Sequence, residues 1–156
     1  MITDVTFEQT LYRQAPGRLR PEPETSPTPL GWGVALDCLN KIGLPRIGEY
    51  EHQLLLYATK FLQDIPGLRI IDTAPDKAGV LSFVLDGHKP EDIGSAPNRE
   101  GIAVRAGHHC AQPILRRFGV ESTVRPSLAS YNTCADIDRL IVTLIKLAAF
   151  APGLAI

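Results

Sequence analysis

Apolar residues recur at helical spacing in two long segments of the chain, residues 47–65 and residues 134–148. Pro66 ends the first segment, and Thr133 and Asp136 have the spacing of a capping box at the start of the second. Because a helix with one broad apolar face must bury it, the two helices are predicted to share a core. The recurring positions are Tyr50, Leu54, Tyr57, Ala58, Phe61 and Leu62, then Ile137, Leu140, Ile141, Leu144, Ile145 and Ala148.

Short runs rich in β-branched and aliphatic residues lie between these helices and predict strands. Proline and glycine punctuation around other segments predicts shorter helices. This mixture predicts an α/β fold of the two-layer α+β kind, in which helices cover a small mixed or antiparallel sheet. The predicted strands are residues 68–72, 80–85, 102–105 and 123–128, and the shorter predicted helices are residues 31–41, 90–99 and 113–118.

Five prolines crowd the beginning of the chain and exclude a regular helix or a central strand there. Residues 1–29 are therefore predicted to be an extended Pro-rich arm with at most one short strand, near residues 4–12. The remaining residues, 30–156, are predicted to form one globular domain, in keeping with a total length of 156 residues. The five prolines are Pro16, Pro21, Pro23, Pro27 and Pro29.

Charge and hydropathy narrow the class of protein. Sixteen Lys and Arg residues balance 17 Asp and Glu residues, so the chain has no basic footprint for nucleic acid or for an anionic membrane. Its apolar runs are far shorter than a membrane span, and its first residues have no basic and apolar segments of a secretory signal. The sequence predicts a protein without nucleic-acid or membrane partners.

Three cysteines form an odd set without the spacing of a disulfide framework, which is typical of a reducing cytoplasm. Cys38 falls on the apolar side of the predicted helix 31–41 and is expected in the core. Cys134 follows the helix cap and is expected to be partly exposed. Trp32 is expected to pack at the start of the helix that contains Cys38, and the alternative is an aromatic side chain that faces a partner.

The segment GIAVRAGHHCAQP, residues 101–113, places a cation, two imidazoles and a thiol within six residues. Cys110 precedes a predicted helix start, where a thiolate is favoured, so one interpretation is a nucleophilic cysteine on a loop. A second interpretation is a buried structural cysteine beside two surface histidines, which composition alone favours. A metal site that adds His88 or Cys134 is third, because the ligands lack tetrahedral spacing.

Two motifs, GIAVRAGHHCAQP and the following VRPSLASYNT, closely resemble the C-terminal part of the pyridoxal-phosphate (PLP) cysteine desulfurases. The similarity is to the SUF-type group of the class V aminotransferase superfamily, and it extends upstream to about residue 31 through GWGVAL and IGEYEHQLLLYA. The resemblance implies the fold of the small C-terminal domain of fold-type I PLP enzymes.

The resemblance also implies roles for single residues. In the family, the cysteine of the RxGHHCAxP loop attacks the sulfur of a cysteine–PLP adduct and becomes a persulfide, which here would be Cys110. Arg105 and Arg125 would hold the substrate carboxylate, a task that suits the planar fork of arginine. His108 and His109 belong to the motif, but the sequence assigns neither a proton-transfer role.

The family's PLP site lies in a large N-terminal domain that supplies the Schiff-base lysine, a stacking histidine and an aspartate. None of the five lysines of this chain has that context, and His88-Lys89 falls in a turn of the small domain. The chain alone is therefore expected to bind no PLP specifically and to be inactive, which leaves its status as an enzyme open.

The function that the resemblance implies is sulfur mobilisation from L-cysteine for iron–sulfur cluster assembly, in a truncated form. Two alternatives stay open: a non-catalytic binding module, and a persulfide carrier that uses Cys110. Either would partner a full-length desulfurase or its sulfur-acceptor protein. A homodimer is also expected, with the arm and the helix at residues 31–41 in the contact, because apolar area left uncovered favours self-association.

Overall fold

The computed structural model describes residues 2–12, 14, 29–71, 74 and 77–150. Within these residues, helices and strands alternate in the manner of a mixed α/β domain, as predicted. The elements are β1 (Ile2–Val5), β2 (Thr10–Tyr12), α1 (Pro29–Ile42), α2 (Leu44–Gln63), β3 (Leu68–Ile70), β4 (Phe83–Leu85), α3 (Pro90–Arg99), β5 (Arg105–Gly107), α4 (Gln112–Arg117), β6 (Thr123–Arg125) and α5 (Cys134–Ala149).

Helix α5 begins at its predicted cap, whereas α2 begins at Leu44, three residues before the predicted start at residue 47. Gly43, with φ of 97°, separates α1 from α2, and a proline lies in the first turn of α2, where its missing N–H is harmless. At the start of α5, the Thr133 N–H donates to the Asp136 carboxylate at 2.9 Å. Hydrogen bonds from the N–H and the hydroxyl of Thr133 to this carboxylate hold the pKa of Asp136 below its usual value. The predicted capping pair is confirmed.

The main sheet has four antiparallel strands in the order β3-β4-β6-β5, which confirms the small antiparallel sheet. Phe83 on β4 lies opposite Val124 on β6, and both side chains are fully buried. They pack with the apolar faces of α2, α3 and α5 in one core, so the shared core predicted for the two long helices is confirmed. Its helical members include Leu55, Leu62, Ile93, Ile137 and Leu144.

Alternation along the strands sends a second set of side chains to the opposite face of the sheet. Because Phe83 and Val124 face the helices, Thr123 and Arg125 on β6 point away from them, and so does Ser82, the residue before β4, which contacts Thr123. Arg105 lies directly opposite Arg125 and shares that face. We call it the arginine face; it carries the candidate site.

The strand expected at residues 102–105 is displaced. Residues 102–104 are not a strand, and pairing begins at Arg105, opposite Arg125. Continuing the same register would set Val104 against Pro126, which has no N–H to donate to the ladder. The Ile102 N–H instead donates to the Pro97 carbonyl at the end of α3. The sequence-based prediction was wrong by three residues for this reason.

The beginning of the chain also differs from expectation. Residues 2–12 form an antiparallel hairpin of two strands, β1 and β2, where at most one strand was predicted. The turn is closed by Thr6, whose N–H donates to the Gln9 carbonyl at 2.8 Å. Most of the prolines of the arm lie outside the described residues. The division of the chain into an arm, 1–29, and a domain, 30–156, stays a prediction.

Two predictions on α1 were wrong. Cys38, expected in the core, is exposed, and so is Trp32, at 61% of its surface. The reason is that, among the described elements, α1 packs mainly against α2, and none of its residues belongs to the core cluster between the helices and the sheet. Cys134 is exposed, in line with its position after the cap. In the described part of the chain, no helix is long and apolar enough to cross a membrane.

Candidate functional site

Cys110 lies on a tight turn between β5 and α4. The Ala111 N–H donates to the His108 carbonyl at 2.8 Å, so His109 and Cys110 are the two central residues of a β-turn. Their φ angles are 53° and 57°, in the left-handed region that side chains disfavour, at about 1–2 kcal/mol per residue. The preceding Gly107 has a φ of 132°, a conformation that glycine adopts easily and residues with a side chain rarely do. The nucleophile candidate therefore lies on a strained turn.

The thiol of Cys110 is exposed, so the interpretation of a buried structural cysteine is wrong. The Cys110 N–H donates to Nδ1 of His108 at 3.0 Å, which requires this nitrogen to be unprotonated. Helix α4 begins at Gln112, two residues after the thiol, as the sequence predicts. Within the described residues, no three His, Cys, Asp or Glu side chains are arranged to hold a metal ion.

Arg105 and Arg125 face each other across β5 and β6. Like charges directly opposite on a sheet repel each other, so this arrangement is suited to an anion that both cations share. Among the described residues, neither guanidinium forms an ion pair with Asp or Glu. Nε of the half-buried Arg125 is buried without a hydrogen-bond partner there. The pair offers a forked set of donors that matches a carboxylate.

His109 turns its ring onto the sheet, away from solvent. Its Nε2 lies 3.1 Å from both the carbonyl oxygen and Oγ1 of Thr123. A carbonyl oxygen can only accept, so Nε2 carries a hydrogen, and the buried Nδ1 has no partner in the described structure. Burial lowers the pKa of His109, and the neighbouring Arg125, Arg105 and His108 lower it further, against the bond to Thr123. The lowered pKa favours the neutral form of the imidazole at pH 7.

Sequence reasoning brought together Arg105, Arg125 and the histidine–cysteine loop, but it missed two residues. Thr123 is fully buried beneath His109, and its Oγ1 lies 2.8 Å from Oγ of Ser82 on the strand segment before β4. Strand alternation offered a signal, because Thr123 precedes Arg125 by two residues and must share its face. The contact with Ser82 had no such signal, since it depends on the pairing of distant strands.

A separate groove lies elsewhere in the domain. It has a volume of about 420 Å³ and runs along α5 beside the end of α3, in the helical layer. The sheet separates this layer from the arginine face. The groove is open and lined mainly by charged side chains, and it contains neither a thiol nor the facing arginine pair. Its lining residues are Glu100, Asp138, Arg139, Val142, Thr143 and Lys146.

Comparison with known proteins assigns the domain to a class. The family model of class-V aminotransferases matches residues 1–140. The chain therefore belongs to the class-V aminotransferase family. Among curated relatives, a cysteine desulfurase of Synechococcus elongatus is 58% identical over 147 residues, which cover 94% of this chain and 24% of the relative. A probable cysteine desulfurase of Xylella fastidiosa is 40% identical and is covered over 35% of its length.

Solved structures agree with this assignment. The cysteine desulfurase CsdA of Escherichia coli aligns with 97% of this chain at a TM-score of 0.74 and 28% identity, and 37% of the CsdA chain is covered. A cysteine desulfurase of Thermococcus onnurineus aligns with a TM-score of 0.75 and 27% identity. The chain thus spans roughly a quarter to little more than a third of the relatives it matches. The narrower SUF-type assignment stays a prediction.

Proposed function

We propose that this chain is the sulfur-accepting part of a cysteine desulfurase, with Cys110 as the acceptor thiol and Arg105 and Arg125 as the clamp for the substrate carboxylate. The observation that carries the proposal is the facing arginine pair on β5 and β6, with the exposed thiol on the turn that directly follows β5. An anion held by the pair is bound on the strand that leads into the nucleophile.

The chemistry of the proposed reaction is a sulfur transfer. L-cysteine and the Cys110 thiol give alanine and a Cys110 persulfide: the carbon–sulfur bond of the substrate breaks and a sulfur–sulfur bond forms at Sγ. The arginines orient the carboxylate so that the substrate sulfur meets Cys110, a positioning effect that lowers the barrier without bond-making by the arginines. Use of that sulfur for iron–sulfur cluster assembly is the further step that the family suggests.

The described residues do not fit a PLP site. Lys41, Lys60, Lys89 and Lys146 are exposed on the surface, and Lys77 is half-buried before β4. A groove of about 210 Å³, lined by Lys146 and Phe150 among others, lies between α3 and α5, on the far side of the sheet from the arginine face. PLP in the family is therefore proposed to be held by parts of a full-length protein outside the matched stretch.

This arrangement favours persulfide carriage over a complete reaction for the chain by itself. Because Cys110 is exposed on a surface turn, it can take sulfur from another protein that supplies the pyridoxal chemistry, such as a full-length desulfurase. A cytoplasmic location, suggested by the unpaired cysteines, stays a prediction.

The test is a transfer experiment. The purified chain is mixed with a full-length cysteine desulfurase, PLP and L-cysteine, and its three cysteines are examined by peptide mass spectrometry. Added sulfur is expected on Cys110 and not on Cys38 or Cys134, which are also exposed, and the addition is expected to disappear in Cys110→Ser. In this mixture the donor desulfurase binds L-cysteine in its own site, so Arg125→Gln, which alters the proposed clamp of this chain, is expected to leave the addition intact. Labelling that ignores the identity of the cysteine contradicts the proposal.

The chain incubated alone with PLP and L-cysteine completes the experiment. It is expected to release no sulfide and to develop no stable visible absorbance band of a lysine-bound cofactor. Sulfide release by the chain alone would contradict the proposal that it only accepts sulfur, and it would indicate that the chain is a complete enzyme.

A further inference from the structure

The turn that carries Cys110 needs a source of stabilisation beyond its own backbone. Two consecutive non-glycine residues, His109 and Cys110, are held at positive φ, where glycine or asparagine is the usual choice. The bonds within the turn run from Ala111 to the His108 carbonyl and from the Cys110 N–H to the His108 ring. Neither of them reaches the sheet, so neither can set where the turn lies.

One side chain connects the turn to the sheet. His109 Nε2–H reaches the carbonyl and the hydroxyl of Thr123, each at 3.1 Å. Thr123 has no exposed surface, and its hydroxyl is in turn fixed at 2.8 Å by the hydroxyl of Ser82. Because a buried hydroxyl without its partner costs about 1–3 kcal/mol, the three residues hold one another in place.

We propose that His109 is a positioning residue for the Cys110 thiol, acting through Thr123 and Ser82 to pin the strained turn to the arginine face. Its ring nitrogen donates to the sheet and does not move a proton to or from the sulfur. The meaning for sulfur transfer rests on the proposed function of Cys110, whereas the pinning of the turn can be measured without it.

The first experiment measures local opening of the turn by amide hydrogen exchange in NMR. Thr123→Val removes the hydroxyl at nearly constant volume and leaves His109 only the backbone carbonyl as acceptor. Because the link to Ser82 is lost, exchange at Cys110 and Ala111 is expected to be about tenfold faster, equivalent to about 1.4 kcal/mol. Thr123→Ser, which keeps the hydroxyl, is expected to restore slow exchange. The Asp136 amide in the first turn of α5 is the control and should not change. Unchanged exchange at the turn, or an equal rise at Asp136, overturns the proposal.

A second variant separates anchoring from strain. His109→Gly accepts a positive φ without cost but loses the bonds to Thr123, so the turn amides are expected to exchange faster although the backbone strain is relieved. Slower or unchanged exchange in this variant overturns the proposal. Because the substitution is on the surface turn, it also serves if Thr123→Val fails to fold.

The functional arm follows the rate of sulfur transfer to Cys110 in the mixture with a full-length desulfurase. Thr123→Val is expected to slow the transfer several-fold at saturating donor, and Thr123→Ser to recover it. Equal transfer rates in both variants overturn the positioning role. If the parent chain takes no sulfur on Cys110, the proposed function fails, and the exchange data still decide whether His109 pins the turn.

Discussion

Helices α5 and α1 carry similarly apolar sequences and end in opposite surroundings. In α5, Leu144 is fully buried against the sheet and α2, whereas in α1, Trp32 and Val34 keep 61% and 70% of their surfaces exposed. Gly43 follows α1, and the Thr133–Asp136 capping box begins α5, but neither signal says what covers the apolar face of its helix. An apolar helical face shows that a helix needs a covering surface, but only the fold shows whether the same chain supplies it.

The largest effect is expected in the core of α5. Leu144→Ala should lower the free energy of unfolding by about 2–5 kcal/mol, because it leaves a cavity among buried side chains. The neighbouring Ile145 is 49% exposed, so Ile145→Ala is the matched control and should cost less than half as much. Urea unfolding followed by circular dichroism measures both. Equal losses would mean that α5 does not pack with the face described here.

The pH dependence of the free energy of unfolding tests whether the His109 ring is buried beside the Cys110 turn, in contrast to the exposed side chains of α1. The pKa of His109 is lowered in the folded protein, so below about pH 6.5 the unfolded chain binds more protons than the folded one. The contribution of His109 to stability should be complete above that pH and should decrease as the pH falls through the lowered pKa. His109→Gln is expected to flatten this part of the pH–stability curve. A curve of the same slope in both proteins would contradict a buried neutral imidazole.

Self-association should depend on α1 and not on α5. The parent chain is expected to dimerise at tens of micromolar, which corresponds to about −7 kcal/mol. Trp32 and Leu36 lie one helical turn apart, and Trp32→Ser combined with Leu36→Ser should give a monomer of unchanged stability. Leu56→Ser, at an exposed position of α2, is the control. A monomeric parent chain in light scattering would rule out the dimer.

The smallest effect is expected in the N-terminal hairpin. Arg116 of α4 donates to the Asp4 carboxylate at 2.7 Å and to the Val5 carbonyl at 3.1 Å, so one side chain ties β1 to the domain. Asp4→Asn should speed amide exchange in residues 2–12 without moving the unfolding midpoint, since exposed ion pairs add little stability. Glu121→Gln removes the charge of the second carboxylate that pairs with Arg116 and should leave amide exchange in the hairpin unchanged. A shifted midpoint in Asp4→Asn would show a larger role for the hairpin.

Most of the elements were accessible from the sequence because their signals are local. Helical spacing predicted α2 and α5 to within three residues at each end, and residues 90–99 form α3 as predicted, although Pro97 lies inside that helix. The loop with Cys110, its histidines and the two arginines was also found from the sequence. The exposure of Cys38 and Trp32 could not be predicted from the sequence, because the periodicity of α1 does not show whether another element covers the helix.

By itself, the sequence determined the order of the elements from α1 to α5, the chemistry available near Cys110 and the resemblance to cysteine desulfurases. The tertiary structure alone decided that Arg105 faces Arg125, that pairing stops at Pro126, and that His109 meets Thr123 above Ser82. The physical reason is that these contacts depend on the register between strands far apart in the chain. Register is set by how the whole sheet buries Phe83 and Val124 against the helices, which no local pattern records.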